Sequence, residues 1–479
     1  MRRDCIDACP ADSTARRVRA IGLLACLVLA VVPAAQASRR PNIVIIMADD
    51  LGWRDVGCYG CVDFDTPQLD ALAAAGVRLT SGYVSHPYCS PSRAGLLTGR
   101  YQQGFGHEHN PPYREDDHVI GIDAATELLP LALQQHGYTT GLIGKWHVGA
   151  GPPFRPTARG FAEFYGFLGG GHHYTRVKPG GTGYDSPMWR DHAPTADTLT
   201  YLTDDLTSEA EAFIDRHREG PFCLLVMYNA PHAPDQVTDE YMARVAGIEH
   251  MGRRRYAALV QGVDSGVGRV RARLAAHGLE ANTLVVFLSD NGGRRGVSDN
   301  RPLRGNKGWL HEGGVRVPFI LSLPGTLPAG VVDDRPMSAL DLLPTALVLG
   351  GIPIPVGVDG VDLLPYFAAD RRDRMPHQTL FWRVSGGDGF AVRHERWKLV
   401  RDVGMERPAL YDLVRDMGED NDLAPEHHER VAALTALYTA WSVTLEAPRW
   451  TEGHTRNTTD ERAAARRAGA RQFPMPWVD

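Results

Sequence analysis

The run Ile43-Val44-Ile45-Ile46-Met47 breaks off into Ala48-Asp49-Asp50-Leu51-Gly52, and this switch constrains the fold more than any other feature of the chain. A continuous apolar run flanked by turn residues suits a strand buried on both faces, as in a parallel sheet. Two adjacent carboxylates at its C-terminal end are unfavourable unless something positive meets them. The same switch recurs. Residues 284–288 run into Ser289-Asp290-Asn291-Gly292-Gly293, and residues 222–227 run into Asn229-Ala230-Pro231-His232-Ala233-Pro234. A short strand over 139–144 runs into Lys145-Trp146-His147-Val148-Gly149. Residues 77–83 read as a short strand, and 317–321 as a fifth apolar strand. Between them lie helical stretches: 66–76 with Thr66 as N-cap and Pro67 at the first position, 126–136, and 254–276. Strands alternating with helices predict a doubly wound α/β sheet with one site along the edge where the strands end.

Asp49, Asp50, Asp290 and Asn291 are hard oxygen donors. Together they suit Ca²⁺ or Mg²⁺ and not zinc; taken singly, the carboxylates also fit a solvated loop. Lys145 and His147, two apart, project the same way from an extended segment, although such a pair also fits an ordinary surface. Prolines fix the backbone on both sides of His232, as positioning a catalytic group or simply building a turn would require. Leu303-Arg304-Gly305-Asn306-Lys307-Gly308 is a glycine-flanked basic loop. Cys89-Ser90-Pro91-Ser92-Arg93 precedes a helix-compatible stretch, 92–98, closed by Gly99. Cys89 then enters a helix N-terminus, where free N–H groups favour anions. A small buried cysteine before a turn is the plainer alternative.

Arg16, Arg17 and Arg19 precede an apolar run over 20–32, and Ala35-Gln36-Ala37 follows. This reads as a secretory signal, residues 1–37, cleaved after Ala37, and implies a secreted or periplasmic protein. The run is shorter than the roughly 20 residues that span a bilayer, so stable membrane insertion is not expected. Of seven cysteines, Cys5, Cys9 and Cys26 lie in this leader. Cys58, Cys61, Cys89 and Cys223 remain, too few for a disulfide framework. Cys58 and Cys61 are either a local disulfide or two free thiols. A net charge of −6 offers no electrostatic case for nucleic acid. An anionic substrate must be drawn in by local charges.

Composition shifts after Pro365, and Asp370-Arg371-Arg372-Asp373-Arg374 reads as an exposed linker. Residues 38–370 form the expected catalytic domain. Strands over 379–384, 389–393, 397–401 and 410–413, with a helix over 425–445, form a small α+β domain, 371–450. The polar stretch 451–479 is a tail.

These residues resemble a family. Pro41-Asn42-Ile43 through Asp49-Asp50-Leu51-Gly52, Cys89-Ser90-Pro91-Ser92-Arg93 with Leu96-Leu97-Thr98-Gly99-Arg100, and Gly144-Lys145-Trp146-His147 match in order. Pro231-His232, Asp290-Asn291-Gly292, Gly305-Asn306-Lys307-Gly308, Glu312-Gly313-Gly314 and Leu410-Tyr411-Asp412-Leu413 follow. The chain resembles the type I sulfatases, of the arylsulfatase branch of the alkaline-phosphatase-like superfamily, over residues 41–445. The resemblance implies an α/β/α sandwich with a large, mostly parallel mixed sheet and a C-terminal subdomain with a short antiparallel sheet. It implies that a maturation enzyme oxidises Cys89 to formylglycine. The hydrated aldehyde then attacks sulfur, leaves a sulfated enzyme and later expels sulfate. It also implies that Asp49, Asp50, Asp290 and Asn291, with the residue-89 side chain, hold Ca²⁺ in preference to Mg²⁺. By the same resemblance Arg93 steadies the hydrate, His147 is the base and Lys145 and Lys307 neutralise sulfate oxygens. His232 protonates the leaving oxygen. The stretch 101–110 resembles bacterial polysaccharide sulfatases, so a sulfated carbohydrate is the implied substrate, with His107, His109, His172 and His173 as candidate sugar contacts. His311 stands where many relatives carry an aromatic residue. A phosphate or phosphonate ester hydrolase on the same site and a non-catalytic sugar-binding protein are the alternatives.

Overall fold

A computed structural model describes residues 40–176, 183–368 and 373–451. The signal segment, the expected domain boundary at 370/371 and almost all of the tail lie outside the described residues. Among those described, no helix is long and apolar enough to cross a membrane.

In chain order the strands are β1 (Asn42–Ala48), β2 (Val77–Leu79), β3 (Gly82–Tyr83), β4 (Thr139–Lys145), β5 (Glu163–Phe167), β6 (Trp189–Arg190), β7 (Ala193–Pro194) and β8 (Phe222–Met227). Then come β9 (Thr283–Ser289), β10 (Phe319–Ser322), β11 (Val331–Asp333), β12 (Met337–Ser338), β13 (Thr379–Val384), β14 (Gly389–His394), β15 (Trp397–Arg401) and β16 (Ala409–Asp412). The helices are α1 (Pro67–Ala74), α2 (Cys89–Thr98), α3 (Leu129–Gln135), α4 (Leu202–His217), α5 (Asp239–Arg244), α6 (Met251–Ala276), α7 (Glu312–Val315), α8 (Leu342–Leu349) and α9 (His428–Ser442).

A ten-stranded sheet in the order β11-β2-β10-β9-β1-β8-β4-β5-β6-β7 forms the centre. Its middle, β9-β1-β8-β4-β5, is parallel throughout. Side chains alternate across a strand, so one apolar run serves two cores. Ile43, Ile45 and Met47 face a core with α2, α3 and α8. Val44, Ile46 and Ala48 face another with α1, α4 and α6. The result is the α/β/α sandwich that alternating runs of strand and helix lead one to expect.

Several local expectations shift. Helix α3 begins at Leu129 and not at 126, because Pro130 lacks an N–H and fits only the first turn. Thr66 is the N-cap of α1, but its hydroxyl accepts from Gly57 N; the Asp264 carboxylate receives the N–H groups of Gln68 and Leu69 instead. The single strand expected over 77–83 divides into β2 and β3, which join different sheets. The fifth strand starts after Pro318, which cannot donate to a ladder, and runs antiparallel to β9.

The C-terminal strands form an antiparallel sheet, β13-β14-β15-β16. One face packs Trp382, Val400 and Tyr411 against Tyr83, Leu310 and Val315 of the main body. The other packs Phe390, Leu399 and Leu410 against Leu434 of α9. Buried charges lock the junction. Lys398 Nζ lies 2.8 Å from Glu312 Oε1 and 3.0 Å from Glu419 Oε1. Glu419 also receives the Glu312 N–H, and Asp402 receives the Leu310 N–H. Lys398→Met leaves Glu419 without its cation, facing a Glu312 that keeps, among the described residues, only Arg316 as ion-pair partner. It is expected to cost about 3–5 kcal/mol, read by urea unfolding; a loss below about 1 kcal/mol would show the clamp to be idle.

A second pair links α8 to the start of the C-terminal region. Burial opposes charge on His377, but the Asp341 carboxylate, 2.7 Å from Nε2, overcomes it and raises the imidazole above its ordinary value. The folded state therefore holds the proton more tightly than the unfolded state. The stabilisation is complete below the unfolded pKa near 6.5 and is lost as pH rises through the folded value. His377→Gln is expected to destabilise the protein at about pH 6 and to matter less at about pH 9. Equal losses at both pH values would contradict this.

Candidate active site

The parallel register delivers the strand ends to one edge. Met47 stands opposite Met227 of β8 and Leu288 of β9, and Ala48 opposite Ser289. The backbone continues the pairing past the strands, with Asp49 N donating to Ala230 O and Asp290 N to Ala48 O, each at 3.1 Å. Asp49 and Asp50, Asp290 and Asn291, His232, and Lys145 with His147 are thus neighbours.

Helix α2 aims its N-terminus at this edge. It begins at Cys89, three residues earlier than the expected Ser92, since Pro91 is tolerated in a first turn. Cys89 Sγ sits 3.6 Å from Asp49 Oδ1 and 3.0 Å from Lys307 Nζ. The ligand atoms of Asp49, Asp50, Cys89 and Asp290 all lie within 4.8 Å of one another, and all four residues are buried. Asn291 donates Nδ2 to Asp50 Oδ1 at 2.7 Å, while its Oδ1 is buried without a hydrogen-bond partner. Buried carbonyl oxygens are seldom left so. A hard divalent cation is the partner that an orphaned amide oxygen and three clustered carboxylates fit.

Three cations face the three carboxylates. Arg93 Nη2 lies 2.9 Å from Asp290 Oδ2, and Arg93 Nη1 donates to Lys145 O. Lys145 Nζ meets Asp49 Oδ2 at 2.5 Å. Lys307 Nζ lies 2.7 Å from Asp50 Oδ1. Lys307 reaches the cluster from the 303–311 loop and not from a strand end; its N–H donates to Gly293 O, and Gly308 N to Pro87 O.

The fields are uneven. Burial opposes ionisation of Asp50, but Lys307, His232 and Lys145 overcome it and hold the carboxyl below the usual range. At Asp290 burial and the Asp49 charge prevail over Arg93 and push the carboxyl up to about 6. Burial pushes the Cys89 thiol up to about 12 despite Lys145 and Lys307. Residue 89 is therefore a neutral thiol and a poor nucleophile as it stands.

His232 Nδ1 lies 2.8 Å from Ala233 O, which fixes the proton there and leaves Nε2 facing Asp50 Oδ2 at 3.7 Å. Burial drives its pKa down to about 3 against the pull of Asp50. His147 is held well below its ordinary value by burial and then by Lys145 and Arg93, and its Nδ1 is buried without a partner. His147 is not extended as expected: its φ is 65°, and that of Asp50 is 68°. Non-glycine residues in this region cost about 1–3 kcal/mol each and persist where the surroundings dictate them.

The run Gly169-Gly170-Gly171, just before His172, passes close to His147. A Cβ on Gly170 would stand 2.7 Å from His147 Nε2. Asn229, not singled out from sequence, pins this loop by bonding both His172 O and His172 N. Of the candidate sugar contacts, His107 and His172 are buried. His107 Nε2 meets Ser90 Oγ at 2.7 Å, and the His172 ring lies between His173 O and Ser186 O. His173 Nδ1 bonds Gln236, and His109 O receives the Trp450 indole N–H. His311 bonds Asp402 and is buried away from the cluster's ligands. Cys58 and Cys61 are free thiols.

The Sulfatase family model matches residues 41–352, and the model described as N-sulphoglucosamine sulphohydrolase, C-terminal, matches residues 305–437. Over 424 residues the chain is 36% identical to arylsulfatase J of Mus musculus, covering 83% of this chain and 69% of that protein. Over 363 residues it is 36% identical to N-acetylgalactosamine-6-sulfatase of Rattus norvegicus, covering 69% of this chain and 66% of that protein. The crystal structure of Ps i-CgsB in complex with k-i-k-neocarrahexaose is similar with a TM-score of 0.82 and 34% identity, covering 90% of this chain and 99% of that one. The phosphonate monoester hydrolase of Agrobacterium radiobacter, at 21% identity and a TM-score of 0.59 over 83% of this chain and 96% of that one, shares the fold.

Proposed function

The chain belongs to the sulfatase family, and from that premise we propose that it removes sulfate from a carbohydrate sulfate monoester, using a formylglycine made from Cys89. The observation that carries this reading is Cys89 itself: at a helix N-terminus, between Asp49 and Lys307, with a thiol too weakly acidic to act unmodified. The family's enzymes are sulfuric ester hydrolases, and the relatives include an N-acetylgalactosamine-6-sulfatase and a structure holding a neocarrahexaose.

Hydrated formylglycine supplies one hydroxyl for attack on sulfur and a second whose deprotonation later expels sulfate. Ca²⁺, held by Asp49, Asp50, Asp290 and Asn291, supplies Lewis-acid polarisation of the sulfate and of the attacking hydroxyl. The chain's own groups do the rest. Lys145 and Lys307 hold sulfate oxygens, and their charge in a closed pocket is worth more than in water. Arg93, fixed by Asp290 and Lys145 O, steadies residue 89. His232, its Nδ1 held against Ala233 O, presents Nε2 to the leaving oxygen as the proton donor. His147 accepts the proton of the second hydroxyl at a ring nitrogen. Arg93, Lys145 and Lys307 balance Asp49, Asp50 and Asp290, so a divalent cation leaves surplus positive charge for an anionic ester. The signal segment fits export, with oxidation of residue 89 by a separate maturation enzyme.

The test is sulfate release from a panel of sulfated mono- and oligosaccharides, run beside phosphate and phosphonate monoesters, with mass spectrometry of the peptide containing residue 89. Sulfate esters should be preferred and residue 89 should carry the aldehyde. A preference for phosphorus esters, or an intact thiol in fully active protein, would sink the proposal.

A further inference from the structure

Asp49, Asp50, Cys89, Asp290 and Lys145 are at most 1% exposed. Lys307 and His232, with side chains 16% and 12% exposed, are where the cluster meets solvent. Beside His232 stands Tyr184, 38% exposed. Resting on the sulfatase reading above, we infer that Tyr184 is the platform on which the sugar ring of the substrate stacks, a subsite beside the sulfate pocket.

Three observations carry this. The Tyr184 ring stands perpendicular to the His232 ring, 85° at 5.9 Å between centroids, and perpendicular to His173, 84° at 6.3 Å. A sugar on Tyr184 therefore lies beside the His232 imidazole, whose Nε2 faces Asp50. The ring also packs closely on the Gly171 backbone: a Cβ there would stand 2.6 Å from Tyr184 Cε1 and 3.3 Å from His232 Cε1. Gly171 thus lets both rings pack on bare backbone. The turn that carries Tyr184 is pinned as well. His173 N donates to Tyr184 O at 3.1 Å, and Asp185 lies 3.4 Å from both His173 Nε2 and Arg176 Nη2.

An aromatic ring fixed in this way and still exposed at the mouth of an anion site loses little entropy when a ligand covers it. The anion enters the pocket, and what remains outside is the carbon skeleton that bore it. A pyranose presents a C–H face that an aromatic surface receives, while its hydroxyls keep their water. The candidate histidines at 107 and 172 are buried, whereas Tyr184 is exposed beside His232.

The test separates binding from turnover. In a Cys89→Ala background, which makes no aldehyde, calorimetry against the sulfated saccharide panel should find binders. Adding Tyr184→Ala should weaken the tightest about ten-fold, while Tyr184→Phe should change it by less than about two-fold. With active protein, Tyr184→Ala should raise KM about ten-fold for the best saccharide substrate and leave kcat within about two-fold. Absence of any binder, or equal binding with and without the ring, overturns the inference. A fall in kcat with KM unchanged overturns it too, because the ring would then act only through His232. If the ring-dependent binding holds but unmutated protein releases no sulfate, the sulfatase reading fails and the subsite stands.

Discussion

Cys89→Ala should lower sulfate release by roughly 10⁴-fold or more, with no measurable loss of stability. The size of the effect follows from what the substitution removes. Among the described residues no other hydroxyl or thiol is placed at both the α2 N-terminus and the carboxylate cluster, so the nucleophile disappears and only binding and electrostatics remain. Stability is spared because the thiol is neutral and makes only the weak contact at 3.6 Å to Asp49 and one to Lys307, which keeps Asp50. The measurement is sulfate release by ion chromatography beside a thermal melt. Cys89→Ser separates the roles further: it restores a hydroxyl but not a hydrate, so it should stay inactive under steady-state assay. Wild-type turnover in either variant would remove residue 89 from the mechanism.

The second large effect is expected at Asp290. Asp290→Asn keeps the shape of the side chain and an oxygen for Arg93, but removes a negative charge from the cation cluster. Turnover should fall by about 10²-fold or more. A direct readout accompanies it. Added Ca²⁺ should raise the melting temperature of metal-stripped wild-type protein, by linkage worth about 2.7 kcal/mol at a hundred-fold excess over Kd. The variant should respond only at much higher Ca²⁺. An undiminished Ca²⁺ shift would place the ion elsewhere. Because Asp290→Asn also leaves the buried Arg93 guanidinium without its carboxylate, the fall in turnover is read beside a thermal melt of the variant.

What could be read from the sequence was the chemistry at strand ends. Apolar runs turning abruptly into Asp49-Asp50, Lys145, His232 and Asp290-Asn291 locate one sheet edge, because parallel strands have their C-terminal ends on the same side. Backbone conformation was less accessible. Spacing suggests an extended His147, yet its φ is left-handed, and its ring packs on Gly170, a residue distant in sequence. Lys307 does not follow a strand, and the strand after it, β10, runs the opposite way. The contacts that steady its loop are an ion pair from Glu312 to Lys398 and a hydrogen bond from the Glu312 N–H to the Glu419 carboxylate, 86 and 107 positions further on. Long-range pairs of this kind leave no periodic trace. Tyr184 escaped notice for the same reason: its partners, Gly171 and His232, flank it from two other loops.

The clamp between the C-terminal sheet and the 303–312 loop also bears on timing. Chains emerge and fold from the N-terminal end. Cys89 and Lys307 leave the ribosome well before Lys398, Asp402 and Glu419, which complete the contacts that Tyr83 and Arg316 begin at Glu312 and that fix Leu310. In the finished protein Cys89 is 1% exposed, beyond the reach of another enzyme. On the proposed reading, oxidation of residue 89 must then precede the docking of Lys307, whose loop the C-terminal sheet braces. The order of residues along the chain would act as a clock, with the brace made last.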